Sequence, residues 1–126
     1  MLTDFSVYAT IPAADLARAR RFYEDKLGFK AADVSPAGVM YKAHDSGLYL
    51  YASTFAGTNK ATAAGFNVTN LKATVAELKA KGIAFEEYDM GGEYRTVNSI
   101  MTTPDGLAAW FKDTEGNIIG LFQRQA

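Results

Sequence analysis

The chain has 126 residues, a formal net charge of −1, 48% hydrophobic and 21% charged residues, and no cysteine. That balance suits a folded chain with one real core and excludes an intrinsically disordered one. Near-neutral charge leaves no electrostatic footprint for nucleic acid and no polybasic patch for a membrane, and the lack of cysteine removes disulfides, thiolate metal sites and a cysteine nucleophile.

The opening segment MLTDFSVYAT has no basic flank and no long apolar run, so it does not read as a signal peptide. No stretch approaches the ~20 apolar residues of a membrane span. A cytoplasmic location is the expectation.

Residues 4–11 alternate and are rich in β-formers, which predicts a strand that Pro12 ends. Asp15 stands where a helix N-cap belongs. Leu16, Ala19, Phe22, Tyr23 and Leu27 then recur at helical spacing, and Gly28 suits the residue after the helix end. Strands are expected over residues 30–35, 39–43 and 48–53, parted by the turns Ser35-Pro36-Ala37-Gly38 and Asp45-Ser46-Gly47. The first half therefore reads βαβββ.

Residues 55–60 (FAGTNK) read as a linker, after which the order repeats. A strand over 63–68 is followed by an N-cap at Asn70, a helix marked by Leu71, Val75 and Leu78, and a stop at Gly82. Residues 83–89 read as a strand, 90–98 as a loop and 99–103 as a short strand. A closing hairpin pairs 107–112 with 117–123 around Asp113-Thr114-Glu115-Gly116. This is a second βαβββ. The expected architecture is α+β: one domain of two βαβββ modules, about 1–56 and 61–126, forming a curved mixed-sheet cup with the helices on the outer face.

Two runs carry a family resemblance. Residues 15–29 (DLARARRFYEDKLGF) resemble the first helix of the vicinal oxygen chelate superfamily, which includes glyoxalase, the bleomycin-resistance proteins and the extradiol dioxygenases. Residues 108–123 (AAWFKDTEGNIIGLFQ) resemble its closing hairpin, with Asp113-Thr114-Glu115-Gly116-Asn117 where the family usually has DPDGN. The superfamily hosts lyases, isomerases, epimerases, dioxygenases, transferases and binding proteins, so the resemblance implies a fold more firmly than a function.

Strand alternation sorts side chains between the helix and the cup. Phe5, Val7 and Ala9 are expected under the helix, with Ser6, Tyr8 and Thr10 in the cup. Phe111, Ile119 and Leu121 are expected on the helix side, with Trp110, Ile118, Gly120 and Phe122 in the cup. Trp110 falls opposite Gly120, where its indole is expected to cover the bare glycine backbone. The equivalent pair in the first half is Tyr41 and Tyr51, with Tyr49 beside Tyr51. The expected lining is Tyr8, Tyr41, Tyr49, Tyr51, Trp110 and Phe122, while Ala63 and Gly65 leave room. Two readings follow: rings that fill the cup as a second core, or a concave aromatic pocket with hydroxyls for orientation. Tyr23 is expected in the core.

The resemblance implies metal ligands at four cup positions. They fall on Tyr8, Tyr51, Ala63 and Gly120, and the neighbouring Leu50, Ala64 and Ile119 are apolar. Alanine and glycine carry no donor, and a neutral phenol is a poor one. No metal or other cofactor is expected. The one histidine, His44, is expected to be an exposed turn residue, and it leaves neither an extradiol iron site nor a serine triad complete. Glu86 and Glu87 are adjacent and point to opposite faces, so one of them is a candidate general base if it faces the cup. Arg95, on the 90–98 loop, is a candidate for binding a carboxylate or phosphate.

The expected function is a metal-free small-molecule-binding protein that holds an aromatic or planar ligand in the cup, in a homodimer, with no nucleic-acid or membrane partner. The alternative is an enzyme of the same superfamily, either a metal-independent isomerase or lyase or a metal-dependent lyase or dioxygenase.

Overall fold

A computed structural model describes residues 1–125. Residues Met1–Asn59 together with Asp113–Asn117 form one compact unit, and the rest of the described chain forms another.

In the first unit, strands β1 (Ala9–Ala13), β2 (Ala31–Val34), β3 (Gly38–Ala43) and β4 (Ser46–Ala52) make a sheet of order β1-β4-β3-β2, with β1 parallel to β4. Helix α1 (Leu16–Arg21) packs on β4 and runs on into one wide π-type turn, Phe22–Lys26. The Asp15 carboxylate caps it by accepting the Arg18 backbone N–H at 3.0 Å. Gly28, at φ +82°, ends it in the left-handed region that a side chain would resist.

The second unit repeats the order with one short extra strand. Strands β5 (Thr62–Asn67), β6 (Thr96–Val97), β7 (Ile100–Thr103), β8 (Gly106–Lys112) and β9 (Ile118–Arg124) form a sheet of order β5-β9-β8-β7-β6, with β5 parallel to β9. Helix α2 (Leu71–Ala80) packs on β8 and β9, and the Asn70 side chain caps it through the Ala73 N–H at 3.1 Å. Both units are thus α+β, and no described helix is long and apolar enough to cross a membrane.

Three expectations are corrected. The first strand begins at Ala9 rather than residue 4, because residues 2–4 form a 3-10 turn, and it continues through Pro12. An edge strand tolerates proline, since an N–H missing on the open side costs no ladder bond. Phe5 and Val7 therefore do not lie under the helix; they are 69% and 79% exposed, and Ile11 and Ala13 carry the buried face instead. Residues 83–89 do not form a regular strand. They are fastened by isolated bridges, Phe85 to Phe111 and Asp89 to Arg95, while part of the expected loop becomes β6.

The third correction is one of register. The β3–β4 hairpin turns on two residues, His44 and Asp45, with His44 at φ +55°, rather than on Asp45-Ser46-Gly47. Ala43 then faces Ser46, and Tyr41 faces Leu48 instead of Tyr51. An odd shift in pairing moves a side chain to the other sheet face. Tyr41 is accordingly fully buried among the helix-side residues, stacked near Tyr23 (ring centroids 6.4 Å, 14°) and beside Phe29.

The interior of the first unit contains two buried acids. The Asp113 carboxylate accepts the Tyr23 hydroxyl at 2.7 Å, the N–H groups of Glu115 and Asn117, and the Asn117 side-chain amide. The Glu115 side chain, wholly removed from water, accepts two bonds from the Arg18 guanidinium (2.8 and 3.1 Å), the Asp15 N–H and the Thr114 hydroxyl. Burial pushes the Glu115 carboxyl up, but these donors and the Arg18 charge outweigh it and hold it down at about 2. A depressed carboxyl contributes stability that is complete above its unfolded value near 4.5 and is lost as pH falls toward 2. The contribution amounts to about 3 kcal/mol. Urea denaturation of the wild type is expected to show stability falling steeply between pH 4.5 and 2. Glu115→Gln should be less stable at pH 7 and much flatter across that window, and equal slopes would contradict this account.

Candidate functional site

Each sheet has one face under its helix and one without. In the first unit the helix-free face carries Tyr49 and Tyr51, both half-buried, with nearly parallel rings (centroids 6.2 Å, 5°). Met40 lies opposite Tyr49, and Gly38 lies opposite Tyr51. The Tyr49 ring covers Gly38, where an added Cβ would sit 2.7 Å from its tip. Neither phenol hydroxyl has a hydrogen-bond partner among the described residues. Tyr8 precedes β1 and is 48% exposed.

In the second unit the corresponding face is denser. Trp110, Met101 and Ile118 are buried together, and Tyr88, Ala108 and Phe122 pack on them partly buried. Tyr88 and Phe122 approach Trp110 edge-on, with centroids at 5.5 and 6.0 Å. The indole N–H donates to the Thr62 hydroxyl at 3.2 Å. Trp110 does lie opposite Gly120. The ring over that glycine, however, is Phe122, two residues along the same strand, and it also covers Gly65 across the sheet. Side chains lean along the strand direction, and a bare glycine lets the neighbour two residues away lie flat.

Of the expected lining residues, the structure therefore brings Tyr49 together with Tyr51, and Trp110 with Phe122. Tyr41 does not belong to these faces. Its hydroxyl donates to Glu24 at 2.8 Å, and burial followed by the Glu24 carboxylate pushes its ionisation up. Arg95 is exposed on the bridge to Asp89 and has no ion-pair partner among the described residues. Tyr88, Met101 and Thr62 were missed. Tyr88 shares the alternation of Glu86 along the 83–89 segment, the one signal that pointed to it.

The acids offer little chemistry. Glu86 pairs with Lys112 at 3.5 Å. Glu87 accepts the Ser99 N–H and hydroxyl, and hydrogen bonds from Thr96 and Ser99 hold it below the ordinary carboxylate range against some burial. His44 is exposed in its turn. At the positions where the resemblance implies metal ligands stand two phenols, a methyl and a hydrogen, and no three His, Cys, Asp or Glu side chains gather to hold an ion among the described residues. These residues do not fit a divalent metal.

Residues 6–121 match the glyoxalase/bleomycin resistance protein/dioxygenase superfamily, and the chain belongs to it. Among solved structures, the bleomycin resistance determinant encoded on transposon Tn5 is 18% identical over 97% of this chain and 99% of that one, with a TM-score of 0.73. Lactoylglutathione lyase from Agrobacterium tumefaciens is 15% identical over 94% and 92%, with a TM-score of 0.72. The antibiotic-binding protein TnmS3 from Streptomyces sp. CB03234 is 23% identical over 96% of each chain, with a TM-score of 0.65. At such identities the likeness speaks for the fold. Among curated proteins, none matches the chain.

Gly120→Ala tests the packing of the second face. A Cβ at Gly120 would lie 2.6 Å from the Phe122 ring, so the ring must move. The variant is expected to lose about 1–3 kcal/mol in urea melts and to shift Trp110 emission. Unchanged stability and emission would show that Phe122 does not rest there.

Proposed function

We propose that the chain is a metal-free small-molecule-binding protein of its superfamily that holds a planar or aromatic ligand by stacking. The observation that carries this reading is that the helix-free sheet faces are built of rings rather than polar side chains: Tyr49 and Tyr51 on one, Trp110 and Phe122 on the other. Tyr49 and Tyr51 are half-buried, with hydroxyls bonded to no described residue and so left to water. The unpartnered hydroxyls of Tyr49 and Tyr51 suit a ligand that stacks and then accepts or donates a hydrogen bond. That TnmS3 is an antibiotic-binding protein, and that the Tn5 protein is a bleomycin resistance determinant, lend support at the level of kind.

A screen of planar aromatic compounds, read by Trp110 emission and by tyrosine ring resonances, tests the reading. Tyr51→Ala is expected to weaken a hit on the first unit's face by about 1–2 kcal/mol with little change in melting temperature. Binding should be insensitive to a chelator. A screen in which neither emission nor ring resonances respond sinks the proposal.

The same reading takes the protein as a cytoplasmic homodimer. Leu2, Phe5, Val7 and Phe55 are large apolar side chains left mostly exposed, and every residue of the edge strand β2 is exposed. Sedimentation at tens of micromolar, about the working range for weak dimers, is expected to give twice the chain mass; a single-chain mass would count against pairing.

A further inference from the structure

Among the described residues, one buried side-chain polar atom has no hydrogen-bond partner, the hydroxyl of Tyr88. Tyr88 belongs to the helix-free face of the second unit, edge-on to Trp110. Its backbone is fully used: its N–H donates to the Thr96 hydroxyl at 2.8 Å, and its carbonyl accepts the Thr96 N–H. The ring is thus held in place while its polar end is left unmatched. A buried hydroxyl without a partner is unfavourable, and native chains keep few of them.

We infer that Tyr88 is the hydrogen-bond donor that orients a planar ligand beside Trp110, and that this ligand carries a neutral acceptor such as a carbonyl oxygen or ring nitrogen. The inference rests on the stacking function proposed above and adds a residue and a ligand class to it. Two observations favour a neutral acceptor over an anion. Burial, and then the Glu86 carboxylate, push the Tyr88 ionisation up, so the hydroxyl stays protonated and can donate. The same Glu86 charge opposes a second negative group nearby, and its cation, Lys112, is already paired with it at 3.5 Å. The hydroxyl becomes reachable when the 83–89 segment lifts from the face, which breaks the bond from the Glu86 N–H to the Trp110 carbonyl (2.8 Å) and the paired bonds between Tyr88 and Thr96.

Coumarin, coumarin-3-carboxylate and naphthalene are suitable probes: three fused-ring compounds of which the first has a neutral carbonyl, the second adds an anion, and the third has no acceptor. Binding is read from the indole N–H resonance of Trp110, the one tryptophan in the chain. Wild type is expected to bind coumarin about tenfold tighter than naphthalene, and tighter than the carboxylate. Tyr88→Phe is expected to abolish the coumarin preference, to leave naphthalene binding unchanged, and to keep or raise the melting temperature, since an unmatched buried hydroxyl is removed. Naphthalene binding with no coumarin preference, or a preference that survives Tyr88→Phe, overturns the role of Tyr88 and leaves the stacking face intact. A lower melting temperature in Tyr88→Phe with unaltered coumarin binding assigns the hydroxyl to an ordered water and also overturns it. Failure of all three probes to move the resonance overturns both the anchor and the aromatic face.

Discussion

The first unit depends on keeping two carboxylates out of water. A buried charge is tolerable only when donors replace the water it has lost, and each of these acids is fully supplied. Asp113 draws on Tyr23, Glu115 and Asn117, and Glu115 on Arg18, Asp15 and Thr114. Those donors come from the segment Asp15–Tyr23, which spans the cap of α1, the helix and the start of its π-type turn, and from the turn that follows β8, about a hundred residues away in sequence. The Asn117 amide also donates to the Pro12 carbonyl at 2.8 Å, which fixes the chain just before the helix. The start of α1 is thus set by more than its own cap. Asp15 turns its side chain to Arg18 and its backbone N–H to Glu115, so neither group can shift without leaving another unsatisfied.

Hydroxyl pairing then divides the tyrosines into two kinds. Tyr23 and Tyr41 lie on the helix side, and a carboxylate accepts each phenol: Asp113 for the first, Glu24 for the second. Glu24 is itself fastened by Arg20 at 2.8 Å, so that network closes on itself. Tyr49, Tyr51 and Tyr88 lie on helix-free faces, and their hydroxyls have no partner among the described residues. The first kind is complete as it stands. In the second kind the Tyr88 hydroxyl is buried without a partner, while those of Tyr49 and Tyr51 are left to water beside an aromatic face.

Much of the fold was legible because its punctuation is chemical. Asp15 and Asn70 cap helices with side chains suited to little else at those positions, and Gly28 and Gly82 end them at positive φ. The closing hairpin was read in register because Gly116, also at positive φ, marks its turn. The first hairpin was not, because the left-handed position there is taken by a histidine, a far weaker signal than glycine, while Gly47 three residues on drew the turn toward itself. That single turn cost Tyr41 its correct face. The 83–89 segment was read as a strand because its composition is that of one; what it lacks is a continuous neighbour, and pairing is a property of the fold rather than of the segment. Tyr88 was hidden with it.

The glycines at 65 and 120 bear most directly on what the chain can do. At Gly120, where the resemblance implies a metal ligand on the last strand, the missing side chain does not leave free space. The Phe122 ring lies 2.6 Å from where a Cβ would stand, and 2.8 Å from the same point at Gly65. A carboxylate placed at 120 has to displace that ring, and the ring packs edge-on against Trp110. The donor position and the aromatic face therefore compete for one volume. A chain that keeps Phe122 flat over both glycines holds a ring where a ligand atom for a metal would project, and restoring that atom by one substitution would disturb the packing of Phe122 on Trp110 before it could assemble a coordination site.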